Sequence, residues 1–105
     1  MPALYQACAK IRSELDALPG DVLLQFGVDW CGHCQAAEPA IAQALKTFSR
    51  LSHLRIEDGA GRPLGRSFRV KLWPTLVLLR DGQEMGRLVR PTQEAQVLAL
   101  LRAVG

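Results

Sequence analysis

The sequence lacks any long hydrophobic run. Of its 105 residues, 49% are hydrophobic and 22% are charged, yet no apolar stretch approaches the roughly 18 residues of a membrane-spanning helix. The first ten residues also lack the basic segment and apolar core of a secretory signal. We therefore expect a cytoplasmic protein without membrane association, folded as a single domain over residues 1–105.

Cysteine is scarce and its count is odd. Cys8, Cys31 and Cys34 fit poorly with a disulfide scaffold, because structural disulfides use cysteines in pairs. In a reducing compartment, a close pair such as Cys31 and Cys34 is more often catalytic or metal-binding than structural. A zinc site normally needs four ligands, and no second Cys or His pair is spaced to complete one. We therefore expect no metal and no cofactor, with metal binding by Cys31, Cys34 and His33 as the alternative.

The sequence also has little excess charge, with a net charge of +3. The tightest basic group consists of Arg62, Arg66, Arg69 and Lys71, and the spacing of its arginines is typical of a solvated helix face. Docking to an acidic partner is the alternative interpretation of this group. No aromatic residues alternate with these charges, so nucleic-acid binding is not expected. We expect the protein to be a monomer.

Hydrophobic periodicity predicts a long first helix and a buried strand. The helix would carry one apolar stripe, formed by Leu4, Cys8, Ile11, Leu15 and Leu18. On this stripe Cys8 is expected to act as a small buried hydrophobe, with regulatory oxidation as the alternative. Residues 22–28 form a continuous apolar run, which is typical of a strand covered on both faces.

The remaining pattern alternates helices and strands. The predicted elements are a helix with Ile41, Leu45 and Phe48 on one side, a strand at 53–57, a helix at 63–68, strands at 75–79 and 84–89, and a helix from Thr92. Pro39 is expected to kink the first of these helices. Asp81-Gly82 predicts a tight hairpin between the last two strands. This order implies an α/β fold with a central mixed sheet and helices on both faces.

A Cys-X-X-Cys sequence, Cys31-Gly32-His33-Cys34, follows the predicted buried strand. At such a junction Cys31 begins a helix, where the helix dipole and free backbone N–H groups stabilise a thiolate. Because the thiolate is the reactive form of cysteine, Cys31 is the expected nucleophile. Its attack on a disulfide gives a mixed disulfide that Cys34 resolves. The pattern predicts an enzyme of thiol–disulfide exchange.

The chain resembles the thioredoxin family along nearly its whole length, and three features carry this resemblance. They are Trp30-Cys31-Gly32-His33-Cys34 after the central strand, Pro39 five residues beyond Cys34, and Trp73-Pro74-Thr75 at the start of the hairpin. The first looks like the active site of protein disulfide isomerases, whereas ordinary thioredoxins have proline in place of His33. The resemblance implies a thioredoxin fold, protein disulfides as substrates, and either a thioredoxin-reductase-type enzyme or glutathione as the electron donor.

The resemblance also implies a substrate groove at Trp73, Pro74 and Thr75. It implies that Pro74 follows a cis peptide bond and packs against the cysteine pair, which exposes backbone to the substrate. Trp73 stands where relatives usually have a smaller aliphatic residue, so it is either a core aromatic or a bulky wall of the groove. Trp30 is expected to support the active-site loop by packing and hydrogen bonding.

Redox tuning is expected from Gly32, Trp30, His33 and Gln25. A protonated His33 stabilises the reduced form, although the alternative is that His33 is an exposed spacer. Asp29 would oppose a thiolate and is expected to point to solvent. Gln25 stands where the family has a buried acid that relays protons, so proton removal from the resolving thiol would pass to water, His33 or the substrate.

Three further departures from the family concern the approach to the groove. Arg69, Leu72 and Arg90 stand where close relatives often have glycine, which implies a more crowded and more basic approach and a restricted set of clients. His53 is assigned no role. A client-binding or assembly module, which uses the groove beside Pro74 with little redox turnover, remains the alternative function.

Overall fold

The structure is a computed structural model that describes residues 4–8 and 10–104. Its elements are, in order, α1 (Arg12–Asp16), β1 (Asp21–Gly27), α2 (Gly32–Thr47), β2 (Ser52–Glu57), α3 (Pro63–Ser67), β3 (Thr75–Arg80), β4 (Gln83–Val89) and α4 (Glu94–Leu101). The strands form one sheet in the order β2-β1-β3-β4. β1 pairs parallel with β2 and antiparallel with β3, which pairs antiparallel with β4. The predicted mixed sheet is confirmed.

Helices cover both faces of the sheet, and the side chains of β1 alternate between the two buried clusters that result. Phe26 packs in the cluster that includes Leu15 of α1 and Leu64 of α3. Leu23 packs on the opposite face, where the buried residues of α2 and α4 meet the sheet. The continuous apolar run therefore forms a strand with helices on both sides, as the sequence predicts.

The first helix is much shorter than predicted, because α1 has only five residues. Leu4 and Ile11 are 62% and 63% exposed, whereas Leu15 is fully buried. The segment before α1 lies along the edge of the sheet, where Gln6 forms a parallel bridge with Ile56 of β2. Backbone hydrogen bonds to β2 replace helical ones there, so the prediction of one continuous amphipathic helix is wrong.

The second helix extends over 16 residues and contains Pro39 without ending there. Its buried face is built largely from alanines, with Ile41 only 1% exposed. Leu45 and Phe48, predicted on the same side, are partly buried against this core. Among the described residues, no helix combines the length and hydrophobicity needed to cross a membrane.

The hairpin between β3 and β4 turns at Asp81-Gly82, as predicted. Both residues have positive φ angles, 51° and 82°, which is the signature of a type I′ turn. A Cβ atom at Gly82 would lie 1.7 Å from the carbonyl oxygen of Asp16, so only glycine fits this position. The other predicted bounds lie within two residues of the observed ones.

Candidate active site

The two cysteines lie at the start of α2, directly after β1. Cys31 is the N-cap residue, and its Sγ accepts a hydrogen bond from the backbone N–H of Cys34 at 3.4 Å. Cys31 is 9% exposed and Cys34 is 1% exposed, and both are free thiols. The unpaired N–H groups of the first helical turn make this end of α2 favourable for negative charge.

Cys34 is the more deeply buried thiol of the pair, and its pKa is raised from its ordinary value to about 11. Burial is the main cause, because it disfavours the charged thiolate. The nearby Cys31 also raises this pKa, whereas hydrogen bonds from the Val28 backbone and from Tyr5 lower it. Cys34 is therefore a neutral thiol near pH 7.

The segment from Trp73 to Thr75 contributes a second part of the site. The Trp73–Pro74 peptide bond is cis, and Pro74 is buried. Thr75 is 1% exposed and begins β3. Half-buried Trp73 packs against the cluster that contains Cys31 and Cys34, so the structure places one predicted groove residue directly beside the cysteine pair.

Trp30 lies largely in solvent, with 77% of its surface exposed. Its ring meets the Trp73 ring nearly edge-on, with 5.9 Å between ring centroids and an interplanar angle of 84°. Of the packing and hydrogen bonding expected of Trp30, the structure shows packing against Trp73 at the surface. Leu72, next to Trp73 in the sequence, is also 48% exposed, and exposed apolar side chains such as Trp30 and Leu72 are of the kind that contacts other polypeptides.

Arg69 and Arg90 both have left-handed backbone, with φ angles of 59° and 52°. Glycine adopts this conformation freely and other residues at a cost, which explains why glycine suits these positions. The Arg90 Nε donates to the carbonyl oxygen of Trp73 at 2.8 Å. The backbone N–H of Arg90 donates to the carbonyl oxygen of Pro74 at 2.9 Å. Arg90 therefore holds the Trp73–Pro74 segment and brings a cation beside it.

Gln25 is fully buried at the centre of a polar cluster between β1, β2 and α2. Its side-chain N–H groups donate to the Tyr5 hydroxyl at 2.6 Å and to a Glu38 carboxylate oxygen at 2.9 Å. Its carbonyl oxygen lies 2.7 Å from His53 Nε2 and accepts from Arg55 at 3.4 Å. These partners use the full hydrogen-bonding capacity of the amide, so its burial needs no charge.

Glu38 and Arg55 form a buried ion pair next to Gln25. Their side chains are 15% and 11% exposed, and the Arg55 guanidinium bonds both carboxylate oxygens of Glu38. This ion pair was not predicted from the sequence, although the spacing of its residues carries a signal. Glu38 lies one helical turn after Cys34 on α2, and Arg55 is the register partner of Gln25 in β2.

His53, to which the sequence analysis assigned no role, belongs to the same cluster. Its pKa is lowered from its ordinary value to about 4. Burial is the main cause, and the positive charge of Arg55 adds to it, whereas Glu38 acts in the opposite direction. Because a carbonyl oxygen can only accept a hydrogen bond, neutral His53 must carry its hydrogen on Nε2 and donate it to the Gln25 carbonyl oxygen.

This arrangement predicts a loss of stability in mild acid. The unfolded chain protonates His53 near pH 6.5, whereas the folded protein resists protonation until about pH 4. The free energy of unfolding should therefore fall by about 2 kcal/mol as the pH drops from 6.5 to 4, allowing for partial solvent exposure. Urea unfolding across this range measures the loss. In a His53→Gln variant the free energy of unfolding should fall less over the same pH range, by about the contribution of His53. An equal pH dependence of the unfolding free energy in the parent and the variant would contradict the role assigned to His53.

Other residues singled out in the sequence lie apart from this cluster. Gly32 and His33 are exposed in the first turn of α2. Cys8 is half-buried and packs against the core beneath α1 and α3. Within residues 4–8 and 10–104, no group of three or more His, Cys, Asp or Glu side chains is placed to hold a metal ion.

Two curated relatives are similar to this chain over most of its length. Thioredoxin H2-1 of Oryza sativa subsp. japonica is 34% identical over 68 residues, which are 65% of this chain and 49% of that protein. Protein disulfide-isomerase A3 of Gallus gallus is 32% identical over 97 residues, which are 90% of this chain and 19% of that protein. The chain thus spans about half or less of the length of these relatives.

A solved structure and a family model agree with this similarity. Reduced thioredoxin 2 from Pseudomonas aeruginosa PAO1 superposes with a TM-score of 0.89 at 50% sequence identity, covering 99% of this chain and 96% of that one. The thioredoxin family model matches residues 6–103. From its sequence and its fold, the chain belongs to the thioredoxin family.

Proposed function

We propose that the chain is a thiol–disulfide oxidoreductase that reduces or exchanges protein disulfides through Cys31 and Cys34. The observation that carries this proposal is their placement at the N-terminus of α2. Cys31 stands at the helix start with little exposure, and Cys34 lies buried one turn below it. The thioredoxin family match over residues 6–103 supports the same chemistry.

The reaction consists of two successive exchanges. The Cys31 thiolate attacks one sulfur of a substrate disulfide, and the first substrate thiolate leaves and takes up a proton. Cys34 then loses its proton and attacks the Cys31 sulfur, which releases the second substrate thiolate. Two electrons pass to the substrate, and the protein is left with a Cys31–Cys34 disulfide. A thiol donor, either a thioredoxin-reductase-type enzyme or two molecules of glutathione, restores the reduced pair.

The substrate is an oxidised polypeptide rather than a small molecule. The exposed ring of Trp30, which meets half-buried Trp73 edge-on beside the nucleophile, supports this assignment, because exposed apolar surface of this kind contacts other polypeptides. Arg90 adds a positive charge at the carbonyl of Trp73. We assign the protein to the cytoplasm as a monomer with a restricted set of protein clients.

A redox titration in glutathione buffers tests this proposal. Cys31 and Cys34 should oxidise together as a two-electron couple, observed by mass spectrometry as the loss of two hydrogens. Disulfide oxidoreductases range from about −270 mV for thioredoxin to about −180 mV for protein disulfide isomerase. Because His33 replaces proline as in the isomerases, the potential should lie nearer the second value.

His33 sets this poise if a His33→Pro variant becomes more reducing by about 30 mV or more, a tenfold change in the equilibrium constant. A His33→Gln variant is the matched control, because it removes the imidazole without constraining the backbone. An unchanged potential in both variants would assign the poise to other residues. Oxidation of the parent to separate glutathione adducts, without a Cys31–Cys34 disulfide, would contradict the proposed function itself.

A further inference from the structure

Tyr5 reaches Cys34 from the segment that precedes α1. Its side chain is buried, with 6% exposure, and packs with Val28 and both active-site cysteines. Its backbone N–H donates to the Asp29 carboxylate at 3.0 Å, so Asp29, although exposed as expected, also anchors this segment. These contacts fix the position of the Tyr5 ring beneath the active site.

The Tyr5 hydroxyl and the Cys34 sulfur share one small space over Gly27. A Cβ atom at residue 27 would lie 2.6 Å from Cys34 Sγ and 2.8 Å from the Tyr5 hydroxyl oxygen. Burial raises the pKa of the Tyr5 phenol well above its usual range, so the phenol keeps its hydrogen. A hydrogen bond from Tyr5 in turn lowers the pKa of Cys34.

Gln25 determines which way the Tyr5 hydroxyl can donate. The carbonyl oxygen of Gln25 faces His53 and Arg55, so its N–H group points at the Tyr5 oxygen at 2.6 Å. This oxygen therefore acts as an acceptor toward Gln25, and the phenolic hydrogen is left for another partner. The Arg55 guanidinium lies over the Tyr5 ring, 5.0 Å from its centroid, and the attraction of a cation to the ring face helps to hold the ring in place.

We propose that Tyr5 is a catalytic residue that donates a hydrogen bond to the Cys34 thiolate while Cys34 resolves the mixed disulfide. Gln25 is then a positioning residue that keeps the phenol oriented as a donor. This inference deepens the proposed function and rests on Cys34 as the resolving thiol. A neutral donor that stabilises the thiolate replaces a buried base that would accept its proton.

The proposed step balances without a base in the protein. Cys34 releases its proton to solvent, the Cys34 sulfur bonds to the Cys31 sulfur, and the bond from Cys31 to the substrate sulfur breaks. The substrate leaves as a thiolate, and Tyr5 keeps its own proton throughout. A cavity of about 110 Å³, lined by Tyr5, Cys34 and Glu38 among others, has room for a few water molecules and offers the proton a route outward.

A Tyr5→Phe variant tests the proposal by removing only the hydroxyl. A hydrogen bond to a charged group favours the thiolate about 10- to 100-fold, but a more basic thiolate is also a better nucleophile. Resolution at neutral pH should therefore slow about 3- to 15-fold. The measurement is the release of the second thiol from a preformed Cys31 mixed disulfide, followed from pH 6 to 9, where the rate should rise with pH in both proteins and stay lower in the variant throughout.

The first exchange provides the internal control. In a Cys34→Ser background, which stops after that exchange, Tyr5→Phe should leave the rate of Cys31 attack unchanged. A Gln25→Met variant should slow resolution in the same direction but less, because it only releases the orientation of the phenol. Denaturant unfolding of each variant separates these effects from a loss of folding.

A second probe keeps every side chain in place. Tyr5 is the one tyrosine in the sequence, so growth on 3-fluorotyrosine alters this site alone. Fluorination makes the phenol a stronger donor, and resolution should accelerate. Resolution at the parent rate in both Tyr5→Phe and the fluorinated protein, or equal slowing of both exchanges, would overturn the role of Tyr5. Failure of the parent to resolve the mixed disulfide would contradict the proposed function instead.

Discussion

A Cys34→Ser variant should accumulate a stable mixed disulfide between Cys31 and an oxidised protein substrate. Cys31 can still attack, but the resolving thiol one helical turn below it is gone. A positioned intramolecular thiol acts at an effective concentration far above that of millimolar external thiols, so turnover should fall by about a thousandfold or more. Mass spectrometry of the trapped species identifies the cysteine that carries the substrate.

The complementary Cys31→Ser variant should form no such species. Cys34 is 1% exposed, and its pKa of about 11 keeps it a neutral thiol near pH 7, so it is neither accessible nor reactive. Both variants are best compared in a Cys8→Ser background, which removes the third thiol. A substrate adduct on Cys34 in the Cys31→Ser protein would reverse the assigned roles.

An Arg55→Met variant should lose about 3–5 kcal/mol of unfolding free energy. The substitution keeps an unbranched side chain but leaves the Glu38 carboxylate, which is 15% exposed, without its partner. The Gln25 carbonyl also loses a donor. Urea unfolding measures the loss.

Two matched variants identify the cause of that loss. Replacing both charges in Arg55→Met/Glu38→Met should restore most of the stability, because no unpaired charge remains buried. Arg87→Met breaks an ion pair with Glu84 whose side chains are 33% and 35% exposed, and it should cost less than about 1 kcal/mol. An Arg55→Met loss no larger than that of Arg87→Met would show that the buried pair does not stabilise the fold.

The strands were predictable from the sequence because each depends on a local signal. Apart from Gln25, the run at 22–28 is apolar on both sides of the strand, and Asp81-Gly82 has the residue types that a type I′ turn requires. The hydrogen bonds of the sheet then bring β1 and β2 together in parallel. Their register was not predictable, because it depends on contacts between distant segments.

The first helix shows where local patterns fail. Leu4, Cys8 and Ile11 repeat at helical spacing, but this segment gains backbone hydrogen bonds from the edge of β2. A short helix is only marginally stable by itself, so tertiary contacts decide the outcome. Tyr5 belongs to the same segment, and its position beside Cys34 likewise depends on tertiary contacts that no local pattern shows.

The active site was predictable only where a local motif marks its residues. The motif located Cys31 and Cys34, and the family pattern drew attention to Gln25. The partners of Gln25 come from β2 and α2, so they become visible only when strand register and helix packing are known. His53 is an example, because its spacing from Arg55 by two residues places both on the same face of β2.

The most direct test of thiol–disulfide oxidoreductase activity is the catalysed reduction of a protein disulfide. The parent and the Cys31→Ser/Cys34→Ser variant would be compared in the reduction of a two-chain protein held together by disulfides, such as insulin, with dithiothreitol as the electron source. The parent should accelerate reduction well above dithiothreitol alone, and the double variant should not. Equal rates for the parent, the variant and dithiothreitol alone would contradict an oxidoreductase and favour a protein that binds clients without redox turnover.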